Sequence, residues 1–134
     1  MAPADRRTAR RIRGDAVETA VLAHLQALGL GLLDRNAASR AGEIDLVMLD
    51  KSGADGGTVI FVEVRYRAND AFGGGAASVD AGKRRRLVHA AEVFLQRNPR
   101  HADAPCRFDV VAASGDPATP TIEWLKDAFR ADDA

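Results

Sequence analysis

TVIFVEVRYR, residues 58–67, is apolar on both of its alternating faces at the start and charged on one of them towards the end. Successive side chains of an extended chain point to opposite sides, so Val59, Phe61, Glu63, Arg65 and Arg67 share one face and Ile60, Val62, Val64 and Tyr66 the other. A strand that begins apolar on both faces is covered on both sides, which places it in the middle of a sheet. Glu63 and Arg65 then project together from the end of a buried strand.

Just upstream, GEIDLVMLD at 42–50 is a second apolar run interrupted by carboxylates. Its alternation puts Glu43, Asp45, Val47 and Leu49 on one face. The connecting KSGADGG, rich in Gly and Asp, suits a hairpin loop. An antiparallel register that pairs the start of one strand with the end of the other brings Asp45 close to Glu63. Two ionised carboxylates side by side in apolar surroundings are costly unless a cation shares the site. The economical reading is a metal site. The plainer alternative is a strand-end salt-bridge cluster with Arg65 or Arg40, and Glu43 can equally cap its strand or bind a neighbouring arginine.

The ligand types narrow the metal. Carboxylate oxygens without Cys or His suit Mg²⁺ or Mn²⁺. The three histidines, His24, His89 and His101, lack zinc-like spacing; two fall on polar sides of predicted helices and one in a loop.

Working outward, Val17, Ala20, Val21, Leu25 and Leu28 recur at three and four, predicting an amphipathic helix from Gly14 to Leu28 that ends near Gly29. Leu30 to Arg35 reads as a first strand. DAFGGGAAS at 70–78 reads as a flexible connection, and Gly73 to Gly75 read as loop flexibility rather than a phosphate cradle, since no strand is expected to lead directly into a helix there. Ser78 or Asp80 can cap a second helix that buries Leu87, Val88, Ala91, Phe94 and Leu95 and ends at Asn98 and Pro99. Cys106 to Ala113 and Thr121 to Leu125 are further strands, and DAFRADDA reads as a turn and tail. The order is helix, three strands, helix, two strands, an α/β arrangement. The expected division is a basic tail over 1–13, one domain over 14–129 and a tail over 130–134.

With 134 residues, 46% apolar and 28% charged, the composition is that of one soluble globular domain. No segment approaches the ~18 uninterrupted apolar residues of a membrane span, and the first helix is too polar for a secretory leader. The single cysteine, Cys106, favours a reducing cytoplasm and is expected to be a buried strand residue. Net charge is zero but unevenly spread. Residues 1–14 hold five Arg against one Asp, residues 65–86 six Lys or Arg against two Asp, and residues 34–63 six acids against three bases.

Taken together, GEIDLVMLD, FVEVRYR, the FGGG connection, Lys83 with the helix after it, and RFDVV at 107–111 resemble the YraN family of bacterial proteins, over about residues 14–129. That family is similar to the PD-(D/E)xK, or restriction-endonuclease-like, superfamily and stands near archaeal Holliday-junction resolvases. The resemblance implies a restriction-endonuclease-like fold, a mixed sheet of about five strands flanked by helices. It also implies Mg²⁺- or Mn²⁺-dependent phosphodiester hydrolysis in DNA, including branched or junction DNA.

Residue by residue, Asp45 matches the motif aspartate, Glu63 the (D/E) and Arg65 the motif lysine. Glu18 matches a helix glutamate that in resolvase-like relatives reaches towards the metal; read on its own, it is a solvated residue of an amphipathic helix. A metal between Asp45 and Glu63 would lower the pKa of a water and neutralise charge on the scissile phosphate. The chain departs from the pattern at Arg65, which can hold a phosphate bidentately but stays protonated and cannot be a general base. Arg67, on the same face, can support phosphate binding.

Lys83, Arg84, Arg85 and Arg86 cluster near a helix start, against its macrodipole. They read either as a solvated face or, as we favour, as a patch contacting a nucleic-acid backbone beside the catalytic strand. The N-terminal arginines add nonspecific affinity. A nuclease and a binding module that kept the fold without catalysis are the two functional readings. Junction cleavage would call for a symmetric homodimer, for which the sequence shows no face.

Overall fold

The computed structural model describes residues 6–40, 42–53, 56–68 and 79–131. Its elements are α1 (Arg6–Ala27), β1 (Gly31–Ser39), β2 (Gly42–Asp50), β3 (Thr58–Arg67), α2 (Ala81–Arg97), a 3₁₀ turn (Pro99–His101), β4 (Cys106–Ser114) and β5 (Thr121–Phe129). The sheet order is β1-β2-β3-β4-β5, so β3 is the middle strand, as its two apolar faces predict. β1 to β3 form an antiparallel meander, β3 and β4 run parallel, and β5 returns antiparallel. A parallel pair needs a long crossover, and α2 is part of it.

The two helices cover opposite faces. Val17, Val21 and Leu25 of α1 pack with Leu46, Met48, Ile60, Val62 and Val111. Leu87, Ala90, Ala91 and Phe94 of α2 pack with Val47, Val59, Phe61, Phe108 and Val110. On this side aromatic rings run across the sheet: Phe129 stacks on Phe108 with centroids 4.8 Å apart, Phe108 on Phe61 at 5.4 Å, and Phe61 meets Phe94 edge-on at 5.9 Å. Val88 and Leu95 are only partly buried there.

Local chemistry sets the helix ends. Gly29 takes a left-handed φ of 98°, and Leu30 N–H donates back to Leu25 C=O at 3.1 Å, which closes α1 in a Schellman motif. Asp80 Oδ1 accepts the Lys83 N–H at 2.8 Å and caps α2. Ser78, the other candidate cap, and Gly73 to Gly75 lie outside the described residues.

Four expectations are corrected. The first helix starts at Arg6, not Gly14, so residues 6–13 are helix and not tail. Arginine is a good helix former, but this half-helix lacks an apolar stripe, its Ile12 being exposed, and periodicity did not register it. β1 runs on to Ser39, and β5 runs on to Phe129 where a turn and tail were expected. Asp127, at φ 53°, breaks the alternation of β5, yet Phe129 beyond it is buried. Cys106 is exposed: it is the first residue of β4, and its thiol contacts Ala104 C=O at 3.4 Å.

A further difference shapes the site. Strict alternation puts Ile44 with Leu46 and Met48, but Ile44 packs on the α2 side and the other two on the α1 side. The strand therefore changes sides around Asp45, and Glu43 and Asp45 do not simply share a face with Val47 and Leu49. Asn36, between the paired positions Arg35–Leu46 and Ala37–Ile44, adopts φ 55°. Pairing of β2 with β3 stops at Leu46–Val62, and beyond it the two strands part.

Candidate active site

Where the β2–β3 ladder ends, the backbone N–H groups of β3 that face β2 lose their strand partners, while pairing with β4 continues to Arg67. Val64 N–H donates instead to Asp45 Oδ2 at 2.8 Å, which fixes the aspartate in the gap between the strands. Glu63 stands next to it, buried at 8% exposure. Burial drives the Asp45 carboxyl from its ordinary 3.8 to about 7, the Glu63 charge adds to the rise, and the Val64 N–H opposes it. The Glu63 carboxyl is raised as well, first by burial, against the pull of Lys83 and then Arg65.

Glu63 Oε1 is 3.4 Å from Lys83 Nζ. Lys83 is the third residue of α2, and the Asp80 cap on its own N–H sets the orientation of that turn. A sequence reading that places Lys83 only in a phosphate patch therefore misses its contact with Glu63. The available signal was a lysine three residues after a capping aspartate, on the helix that follows the central strand. Arg65, in the motif position, lies near enough to lower the Glu63 carboxyl but stands behind Lys83 in effect.

Glu63 Oε2 is buried and has no hydrogen-bond donor. A proton on Asp45 would let the two carboxyls share a hydrogen bond; with both ionised, the oxygen is orphaned beside a second negative charge. Oxygen-only donors, a desolvated carboxylate pair and an orphaned buried oxygen fit a hard divalent cation such as Mg²⁺ or Mn²⁺. Asp45 and Glu63 are the residues that would hold it. Among the described residues, no three of His, Cys, Asp or Glu converge as a ligand group.

Glu18 is buried on α1 and lines the same cavity as Asp45, of about 400 Å³, together with Arg11, Asn36, Glu43 and Tyr66. It is not turned over to the carboxylate pair, however. Arg35 Nε, from β1, donates to Glu18 Oε1 at 2.7 Å, and its Nη2 donates to Thr19 Oγ1 at 2.9 Å. Glu43, open in the sequence, is an exposed residue of the cavity wall. Arg11, from the stretch expected to be tail, stands on that wall too.

The remaining candidate cations differ in exposure. Arg67 is exposed at the end of β3, and Arg85 and Arg86 are exposed on α2. Arg84 is half-buried, with its Nε buried and unpartnered. His24 and His89 are exposed and His101 half-buried. No helix among the described residues is long and apolar enough to cross a membrane.

A five-stranded mixed sheet between two helices, with an Asp and a Glu meeting where the central hairpin opens, defines an α/β domain with a carboxylate pair at the end of its β2–β3 ladder. Residues 17–113 match the family described as Uncharacterised protein family UPF0102. The chain is 58% identical over 125 residues to a UPF0102 protein of Xanthomonas euvesicatoria pv. vesicatoria, covering 93% of this chain and 97% of that one. It is 51% identical over 124 residues to a UPF0102 protein of Xylella fastidiosa strain M12, covering 92% and 97%. The chain belongs to the UPF0102, or YraN, family.

Proposed function

We propose that this domain is a Mg²⁺- or Mn²⁺-dependent nuclease that hydrolyses phosphodiester bonds in DNA, with branched or junction DNA as the first substrates to try. The observation that carries the reading is Glu63 Oε2, a buried carboxylate oxygen without a donor, beside the raised Asp45 carboxyl. When bound, the metal supplies charge neutralisation at the phosphate and a lowered pKa for water.

The chain's own residues account for the rest. Asp45 is held by Val64 N–H, so the metal-binding oxygens are positioned before substrate arrives. Lys83 brings an ammonium to Glu63, where it can orient a water and stabilise charge developing on the phosphate. Lys83 thus supplies at Glu63 the compact ammonium that the motif position, occupied by Arg65, does not. Arg65 and Arg67 suit bidentate phosphate contacts, and exposed Arg85 and Arg86, with Arg11 on the cavity wall, suit the nucleic-acid backbone.

A second reading, a nucleic-acid-binding module of weak or no catalysis, draws on Arg65 in the motif position. Purified protein assayed with Mg²⁺ or Mn²⁺ on duplex, flap, junction and single-stranded DNA separates the two. Metal-dependent cutting that disappears in Asp45→Asn supports the nuclease. Lys83→Met should lower the cleavage rate by roughly 10²-fold, the scale of removing one preorganised charge-stabilising group, while Arg65→Lys leaves cutting within about tenfold. Binding without cutting on every substrate favours the module.

A further inference from the structure

Glu18 faces the cavity beside Asp45, yet one of its oxygens already serves Arg35 at 2.7 Å. That guanidinium is not a loose surface partner. Besides Glu18 it donates to Thr19 Oγ1 at 2.9 Å and to Asp15 C=O at 3.3 Å, so three groups on one face of α1 hold it. Arg35 comes from β1, next to the residue whose left-handed backbone sits opposite the point where β2 changes sides. The strand that shapes the carboxylate gap therefore also carries the cation that engages Glu18.

A carboxylate in a charge-assisted bond to a planar guanidinium presents little net charge to a second cation. Recruiting Glu18 Oε1 to a metal would break that bond and leave Arg35 facing the metal across the cavity. Asp45 and Glu63 have no such competitor of equal strength: the backbone N–H of Val64 is neutral, and Lys83 stands off at 3.4 Å.

Resting on the reading of Asp45 and Glu63 as metal ligands, we propose that Arg35 sets the ligand count of this site: by clamping Glu18 to β1 it restricts the divalent cation to two carboxylates. Glu18 lines the same cavity as Asp45, and its arginine withholds it from a three-carboxylate ligand group. Affinity for a hard cation depends on ligand charge count, so releasing Glu18 tightens the site.

The test is Mn²⁺ binding to the full chain without DNA, by calorimetry and by electron paramagnetic resonance of free Mn²⁺. Glu18→Gln alone should leave the Mn²⁺ Kd within about twofold of wild type, because Glu18 is not a ligand. Arg35→Ala should tighten it by about tenfold, and adding Glu18→Gln should return it to the wild-type value. Arg35→Met, which keeps the apolar stem, repeats the measurement if the alanine variant fails to fold. Weakening of Mn²⁺ binding by Glu18→Gln as large as that from Glu63→Gln overturns the inference, and so does an unchanged Kd in both Arg35 variants. Wild-type protein that binds no Mn²⁺ at millimolar concentration overturns the metal site itself, and this inference with it.

Discussion

Asp109 on β4 and Asp45 on β2 are both aspartates set among apolar residues of one sheet, and their surroundings differ. Asp109 is 1% exposed and accepts four hydrogen bonds. Arg107 Nε and Nη2 donate at 2.9 and 3.0 Å, Trp124 Nε1 at 2.8 Å and Asp127 N–H at 2.8 Å. Asp45 has the Val64 N–H and, for a neighbour, a second carboxylate with an orphaned oxygen. One centre is closed by donors from its own chain. The other is left short of positive charge, and incomplete satisfaction of that kind in an otherwise well-packed protein points to a ligand.

The largest test of the contrast lies on the closed side. Asp109→Ala strands a partly buried guanidinium, an indole N–H and a backbone N–H at once. Removing one partner of a buried pair destabilises by roughly 3–5 kcal/mol, and urea unfolding should show a loss of that size with no direct effect on Mn²⁺ affinity measured below the new transition. A loss under about 1 kcal/mol, of the order seen for an exposed pair, would mean that the network is no more structural than a surface contact.

The open side should respond in the reverse direction. The Asp45 carboxyl, at about 7 in the fold, lies above its ordinary 3.8, so the folded chain holds the proton more tightly. Between those two pH values the folded state binds more protons than the unfolded one, and stability of metal-free protein falls as pH rises. The size is roughly 2–4 kcal/mol at about 1.36 kcal/mol per unit. Asp45→Asn should therefore stabilise the metal-free protein at pH 8 and flatten this slope, while abolishing metal binding. Unfolding free energies at pH 5 and pH 8, with and without the substitution, measure it. Greater metal-free stability at pH 8 than at pH 5, lost in Asp45→Asn, would reverse the assignment.

How much of this was legible follows from the kind of interaction. Asp45 and Glu63 stood out because each interrupts an apolar run of period two, and hairpin geometry alone brings two such interruptions together. The middle position of β3 followed from its two apolar faces. Asp109 interrupts RFDVV in the same way, but its donors come from Arg107 two residues back, Trp124 and a backbone N–H turned inward at Asp127. Strand alternation cannot anticipate such a bulge, and the same bulge hid the end of β5. The Lys83–Glu63 contact joins a helix to a strand across a crossover, where spacing along the chain carries no distance. Arg35 on Glu18 was invisible for the same reason. Periodicity sees burial, and it does not see which buried charges have found one another.

The smallest test concerns a feature that the two centres share. Each faces a non-glycine residue with positive φ in an edge strand, Asp127 at 53° for Asp109 and Asn36 at 55° for Asp45. At Asp127 the twist has a visible product, a backbone N–H delivered to Asp109. At Asn36 it accompanies the change of sides in β2 that leaves Asp45 in the gap. Asparagine tolerates the left-handed region better than most residues, and alanine there costs about 1–2 kcal/mol. If the backbone at 36 is held by the architecture, Asn36→Ala should lose about 1 kcal/mol while Asn36→Gly stays within about 0.5 kcal/mol of wild type. Equal losses in both would assign the effect to the Asn36 side chain. The twist at β1 would then not be what opens the site.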